Sequence, residues 1–313
     1  MPLPFALDHI NLWWLDGGGE SVLVDTGIAT DVCREHWTRL LDEWVPGRIV
    51  LTHFHPDHMG LARWLQACTD AEVVTTHGEA AAAERIYGLA DADAGDELAE
   101  LFSAHGLEPD PAARIRERGN TYRPLVDGLP RFETTLRHDS IVPLAGAQWR
   151  VIVGRGHAPE HACLYREQDG VLIAGDQLLP RITSNVSVSP REPEADPLDA
   201  YLASFAALEA LPADTLVLPS HGRPFYGIHH RIAEIRGHHE QHLTDLLVAA
   251  REKPLTAADA LPILFDRELD AHSLFFAMGE AIAHLNHLWH QGALERAMTN
   301  GTIVFAPPLT PRP

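Results

Sequence analysis

The segment His53-Phe54-His55-Pro56-Asp57-His58 packs three imidazoles and one carboxylate into six residues. Imidazole nitrogen and carboxylate oxygen are the donors zinc takes at catalytic sites, where one position stays open for water. His53 and His55 stand two apart at the end of the apolar run Arg48 to Thr52, so both can point into one cleft. With 20 histidines in 313 residues the alternative is a polar turn with surface histidines.

Three later segments weigh against that alternative. They are Gly156-His157, Gly175-Asp176 and Ser220-His221-Gly222. Each follows a short strand-like run and places a ligand-type residue beside a glycine. Strand ends are where sites form in layered α/β folds. Any one of them alone reads as a turn. Together with the first segment they supply seven ligands, enough for two metal ions with bound water.

The order His-x-His-x-Asp-His, Gly-His, Gly-Asp, Ser-His-Gly resembles the metallo-β-lactamase superfamily, nearest its glyoxalase II-like hydrolases, over residues 8–225. The resemblance implies an α/β fold, an αββα sandwich with metals at one edge. It implies that His53, His55 and His157 hold a first metal, that Asp57, His58 and His221 hold a second, and that Asp176 bridges them. Two Zn2+ ions are expected, with Fe or Mn as alternatives. Asp25, in Val24-Asp25-Thr26-Gly27, resembles the buried Asp that supports the His loop. His161 resembles a second family histidine and is expected to support the ligands. Asp176, where lactam-cleaving zinc enzymes carry Cys, argues against a dedicated lactamase. His55, where flavodiiron reductases carry Glu, favours zinc over a redox iron pair.

The chemistry implied is hydrolysis by a metal-bridged hydroxide, on a small thioester, lactone or ester. Asp57 is the expected catalytic group, orienting the hydroxide and passing on a proton. No Ser or Cys elbow is visible. Tyr226, just past the last ligand, is expected to touch substrate. The alternatives are a nuclease or phosphodiesterase of the same superfamily, and a mono-iron persulfide dioxygenase.

The elements that must position these residues follow a β-α-β-α-β rhythm over the first 80 residues, as helices packed on a sheet do. Ile10 to Leu15 and Ser21 to Asp25 read as a hairpin, Thr30 to Trp44 as a helix, Arg48 to Thr52 as a strand, Leu61 to Ala67 as a helix and Glu72 to Thr76 as a strand. Residues 84–135 read as an acidic helical insertion with no clear strand. Strands return at Ser140 to Leu144, Gln148 to Val153, Ala162 to Arg166 and Val171 to Ala174. A helix over Leu198 to Leu211 and a strand over Thr215 to Leu218 lead to His221. The expected division is a catalytic domain over 1–228 and a helical domain over 229–313, ending in a helix and hairpin that resemble a winged helix. His229, His230, His238, His239 and His242 read as a solvated helix, not a third metal site, and His284, His287 and His290 as surface or packing residues.

Composition narrows the partners. The chain carries 24 basic and 44 acidic residues, a net charge of −20. Such a field repels phosphate backbones and anionic membrane surfaces, so it argues against nucleic acid and for a small-molecule substrate. The helix over Ala281 to Gln291 has no Lys or Arg, contrary to what nucleic-acid reading needs. No run of about 18 apolar residues predicts a membrane span. Three cysteines in no disulfide spacing, and an N-terminus without a basic leader, predict a reducing cytoplasm.

Overall fold

A computed structural model describes residues 1–5, 7–266 and 268–308. Its chain contacts define two compact units. The first comprises Met1–Gly88, Thr121–Ser184 and Ser204–Ile232; the second comprises Leu89–Asn120, Asn185–Ala203 and Ala233–Pro313.

Among the described residues the first unit holds two five-stranded sheets. One runs in the order β1 (Trp13–Gly17), β2 (Glu20–Val24), β3 (Arg48–Val50), β4 (Glu72–Thr76), β5 (Phe132–Leu136). The other runs β10 (Leu216–Pro219), β9 (Val171–Gly175), β8 (His161–Arg166), β7 (Ala147–Gly154), β6 (Ile141–Leu144). Period-two alternation decides which side chains go where. Val22, Val24, Val50 and Val74 point to the face shared with Leu144, Trp149, Val151, Leu164 and Ile173 of the second sheet. Leu23, Ile49, Leu51 and Val73 point the other way, onto the helical layer. That layer is α1 (Asp31–Leu40), capped by the Thr30 hydroxyl, with α3 (Ala62–Thr69) and α4 (His77–Gly88). Between β3 and α3 lies the four-residue α2 (Pro56–Met59).

The second unit has its own core. Leu101 and Phe102 of α5 (Asp91–Ala104) and Ala112 and Ile115 of α6 (Pro109–Arg118) join residues of α9 (Ala257–Leu264), α10 (Ala271–His290) and β12 (Thr302–Ala306). β12 pairs antiparallel with β11 (Glu295–Thr299), giving the expected order of helix then hairpin. Helices α7 (Pro197–Glu209) and α8 (Ile228–Glu252) each run from one unit into the other.

One expectation changes. The stretch 84–135 is not strand-free: β5 pairs parallel with β4 inside the first sheet. The helices of that stretch fall in the second unit and share its core.

Candidate metal centre

The tight turns after β3, β7, β9 and β10 carry the expected ligands, and the fold brings all seven together. Three overlapping donor sets form, each with its atoms within 4.8 Å of one another: His53, His55 and His157; His53, His58 and Asp176; Asp57, His58 and His221. Asp176 lies between the halves. Its Oδ2 is 3.5 Å from His58 Nε2 and 3.7 Å from His157 Nε2, and its Oδ1 is 3.4 Å from His221 Nε2.

Three of the rings, His53, His58 and His221, are fixed from behind. Asp25 accepts from Thr52 N (2.8 Å) and from His58 Nδ1 (2.8 Å), which turns His58 Nε2 into the cluster. Asp25 adopts φ +61°, in the left-handed region that Asp tolerates better than most residues. The Thr52 hydroxyl also meets His53 Nδ1 at 3.0 Å. His221 Nδ1 donates to His9 O (2.8 Å), so its Nε2 faces Asp57 Oδ2 at 3.4 Å. Asn11 Nδ2 holds the same turn through Pro219 O (3.0 Å) and Gly222 O (2.7 Å). His161 lies outside the donor sets; its Nε2 accepts from Asp176 N at 3.0 Å. Tyr226 is 67 % exposed and joins no hydrogen bond to the cluster. His9, Asn11 and Thr52 escaped the sequence reading, because a backbone carbonyl or a lone hydroxyl leaves no motif.

Gly175 is required where it stands. Its φ is +53°, and an added Cβ would fall on the His161 ring. Gly175→Ala is expected to destabilise the chain by about 1–3 kcal/mol, as overpacking does. Calorimetry of the metal-free protein measures it; an unchanged melting temperature would refute this account of the turn.

The donor set fits a cation. His53 Nε2 lies 2.9 Å from His55 Nδ1 and 3.2 Å from His157 Nε2, three ring nitrogens converging on one point. His58 Nε2 and Asp176 Oδ1 are buried without a hydrogen-bond partner. Buried polar atoms left in this way are costly unless an ion or water completes them.

The two halves differ in charge. Burial, then neighbouring imidazoles, holds His53 well below the usual histidine range. Burial takes His55 down to about 3, His157 adding to the effect. Burial works against the charge on His58 also, yet Asp57, Asp176 and Asp25 push it well above the usual range. Burial works against the charge on His221, yet the nearby Asp176 and Asp57 carboxylates push it up to about 10. Burial would raise Asp57 and Asp176, but His58 and His221 hold both below the usual carboxylate range. Without metal, the His53 and His55 side therefore offers neutral donors, and the His58 and His221 side carries protons that an ion must displace. Filling the Asp57, His58 and His221 set is expected to release protons, so its affinity climbs with pH up to about 10. Filling the side that His53 and His55 supply, whose imidazoles burial holds neutral, is expected to depend less on pH. Calorimetric titration in buffers of different ionisation enthalpy separates the two; equal proton release from both sets would contradict it.

On α8, His229, His230 and His238 are exposed as expected and His239 is not; on α10, His284 and His287 are buried as packing residues. His239 and His284 are buried, and His239 Nδ1 meets His284 Nε2 at 3.1 Å. His287 faces Asp196 at 3.1 Å, and His290 meets Glu194 O at 2.7 Å. None of them joins a three-donor group among the described residues.

Known proteins resemble this chain. The model of the metallo-β-lactamase superfamily matches residues 6–221, and that of the metallo-β-lactamase-like C-terminal domain matches residues 243–308. The crystal structure of a β-lactamase domain protein from Burkholderia ambifaria is 43% identical, with a TM-score of 0.90, covering 98% of this chain and 91% of that one. A probable metallo-hydrolase of Bacillus subtilis is 29% identical over 160 residues, 50% of each chain. A thioesterase of Emericella nidulans is 24% identical over 234 residues, 74% of this chain and 51% of its own. The chain thus spans about half the length of these two curated relatives.

Proposed function

Since the chain belongs to the metallo-β-lactamase superfamily, we propose that it is a metal-dependent hydrolase of small thioesters, lactones or other esters, working with two zinc ions. The observation that carries this reading is Asp176 set between two complete donor sets. Neutral imidazoles and carboxylates without a thiolate suit zinc. The likeness to the Emericella thioesterase supports the substrate class.

When bound, a pair of such ions polarises a carbonyl oxygen and brings the pKa of water toward about 7. The chain's own groups do the rest. His53, His55 and His157 would hold one ion, Asp57, His58 and His221 the other, and Asp176 would reach both. Asp57 is the carboxylate of the cluster with an open side, its side chain 20% exposed. Its oxygen turned away from His58 and His221 would take the proton from the attacking water and pass it to the departing thiol or alcohol as the acyl bond breaks. Cys163 is no competing nucleophile: burial pushes its thiol up, and its Sγ donates to Ala174 O at 3.5 Å.

The net charge of −20 favours small substrates over polyanions. The order of α10, β11 and β12 supports a winged-helix-like reading of the C-terminal segment. All three cysteines are free, as a reducing compartment would have them, and no helix among the described residues is long and apolar enough to cross a membrane. The test is a screen of zinc-loaded protein on thioesters, lactones, phosphodiesters and lactams. Hydrolysis confined to the first two classes is expected; turnover of phosphodiesters alone would overturn the substrate class.

A further inference from the structure

The junction of β4 and α4 holds no ligand, yet it ties together two of the loops that do. Glu79, in the first turn of α4, is buried. Its Oε2 accepts from Phe54 N at 2.9 Å and its Oε1 accepts from Glu160 N at 2.6 Å. Phe54 stands between the ligands His53 and His55; Glu160 stands three residues past the ligand His157 and directly before His161. One carboxylate thus spans the two loops that supply the three-histidine donor set. The neighbours of Glu79 reinforce the tie. Glu160 Oε2 accepts from Gly78 N at 2.7 Å, and Glu160 O accepts from the Thr76 hydroxyl at 2.8 Å. At the next peptide of the same loop, the Tyr122 hydroxyl donates to Phe54 O at 2.7 Å.

We propose that Glu79 is a positioning residue for the metal centre, setting the spacing between the His53–His55 loop and the His157 loop. The inference rests on reading the cluster as a metal centre. The chemistry of the side chain is what makes it specific. An ionised carboxylate offers two acceptor oxygens and no donor, so it can take two backbone N–H groups at once. A glutamine of the same length offers one oxygen and one NH2, and the NH2 would face an N–H. Glu79→Gln therefore keeps the volume but releases one loop. Partners behind metal ligands typically govern affinity by about 10–100-fold.

Gly78 gives an independent handle. A Cβ there would lie 2.6 Å from Glu160 Cγ, so Gly78→Ala displaces the Glu160 side chain while leaving the Glu79 carboxylate intact. It disturbs the His157 loop from the other side.

The experiment uses the full chain, stripped of metal and titrated with Zn2+ against a chromophoric chelator, and with Co2+ for its visible absorption. Glu79→Gln is expected to bind at least one ion about 10-fold or more weakly and to shift the Co2+ bands. Gly78→Ala is expected to shift the same bands with a smaller loss. Wild-type affinity and an unaltered Co2+ spectrum in Glu79→Gln would overturn the inference, as would lower thermal stability alone. Should Glu79→Gln fail to fold, Gly78→Ala decides: an unaltered spectrum there overturns the proposal and a shifted one supports it. A wild-type chain that takes up no metal would overturn the metal-centre reading itself, a failure distinct from unaltered binding in the variant.

Discussion

Asp57→Ala is expected to lower kcat by about 10²–10⁴-fold, the range for removal of a general acid–base group, while the protein stays folded. Asp57 is the partly open carboxylate of the cluster, and its contacts to His221 Nε2 (3.4 Å) and His58 Nε2 (3.6 Å) duplicate those of Asp176. Asp176 still faces both rings at 3.4 and 3.5 Å when Asp57 is gone, so neither imidazole loses its last anionic neighbour. The loss should fall on kcat more than on KM, because the proton moves only as the reaction proceeds. Steady-state kinetics on the best substrate of the screen, with circular dichroism as the folding control, measure it. An Asp57→Ala protein that hydrolyses every substrate at the wild-type rate would end the assignment.

Asp25→Ala is expected to damage the fold and the metal site together. Asp25 is buried, and its two oxygens serve Thr52 N, the Thr52 hydroxyl and His58 Nδ1. Removing one partner of a buried pair costs about 3–5 kcal/mol when the other is left uncompensated, an upper bound here because Asp57 and Asp176 still face His58. Here the group left behind is His58, whose charge Asp25 helps to hold. The His58 ring also loses the bond that aims Nε2 into the cluster, so metal affinity should fall about 10–100-fold. Alanine is further disfavoured at φ +61°. Urea denaturation of the metal-free chain and chelator competition on the folded fraction give the two numbers. A wild-type denaturation midpoint would show that the buried pair does not support the His loop.

The site was more legible in the sequence than the scaffold around it. Four of the seven candidate ligands lie within six residues, and the other three each sit beside a glycine at the end of an apolar run, so local pattern alone picked out residues that the fold brings together. The groups behind the ligands were less visible. His221 is oriented by a carbonyl of His9, and the His53–His55 loop by a carboxylate 25 residues beyond Phe54; backbone-directed bonds leave no signature in side-chain type. Asp25 was found only because its surrounding residues resemble those of a known family. In the scaffold, β5 was missed because it is an edge strand whose residues Glu133, Thr134 and Thr135 are exposed, with Leu136 its one buried residue. His239 was read as solvated because its neighbours His238 and Glu240 are; its buried partner, His284, lies 45 residues away on α10.

The central claim is that seven residues form one centre for two ions, and metal stoichiometry tests it most directly. Purified chain, stripped and reloaded with Zn2+, should retain two equivalents after desalting, and His53→Ala or His221→Ala should each reduce that number. Fewer than one equivalent in the wild type, with no hydrolysis of any substrate class, would contradict it.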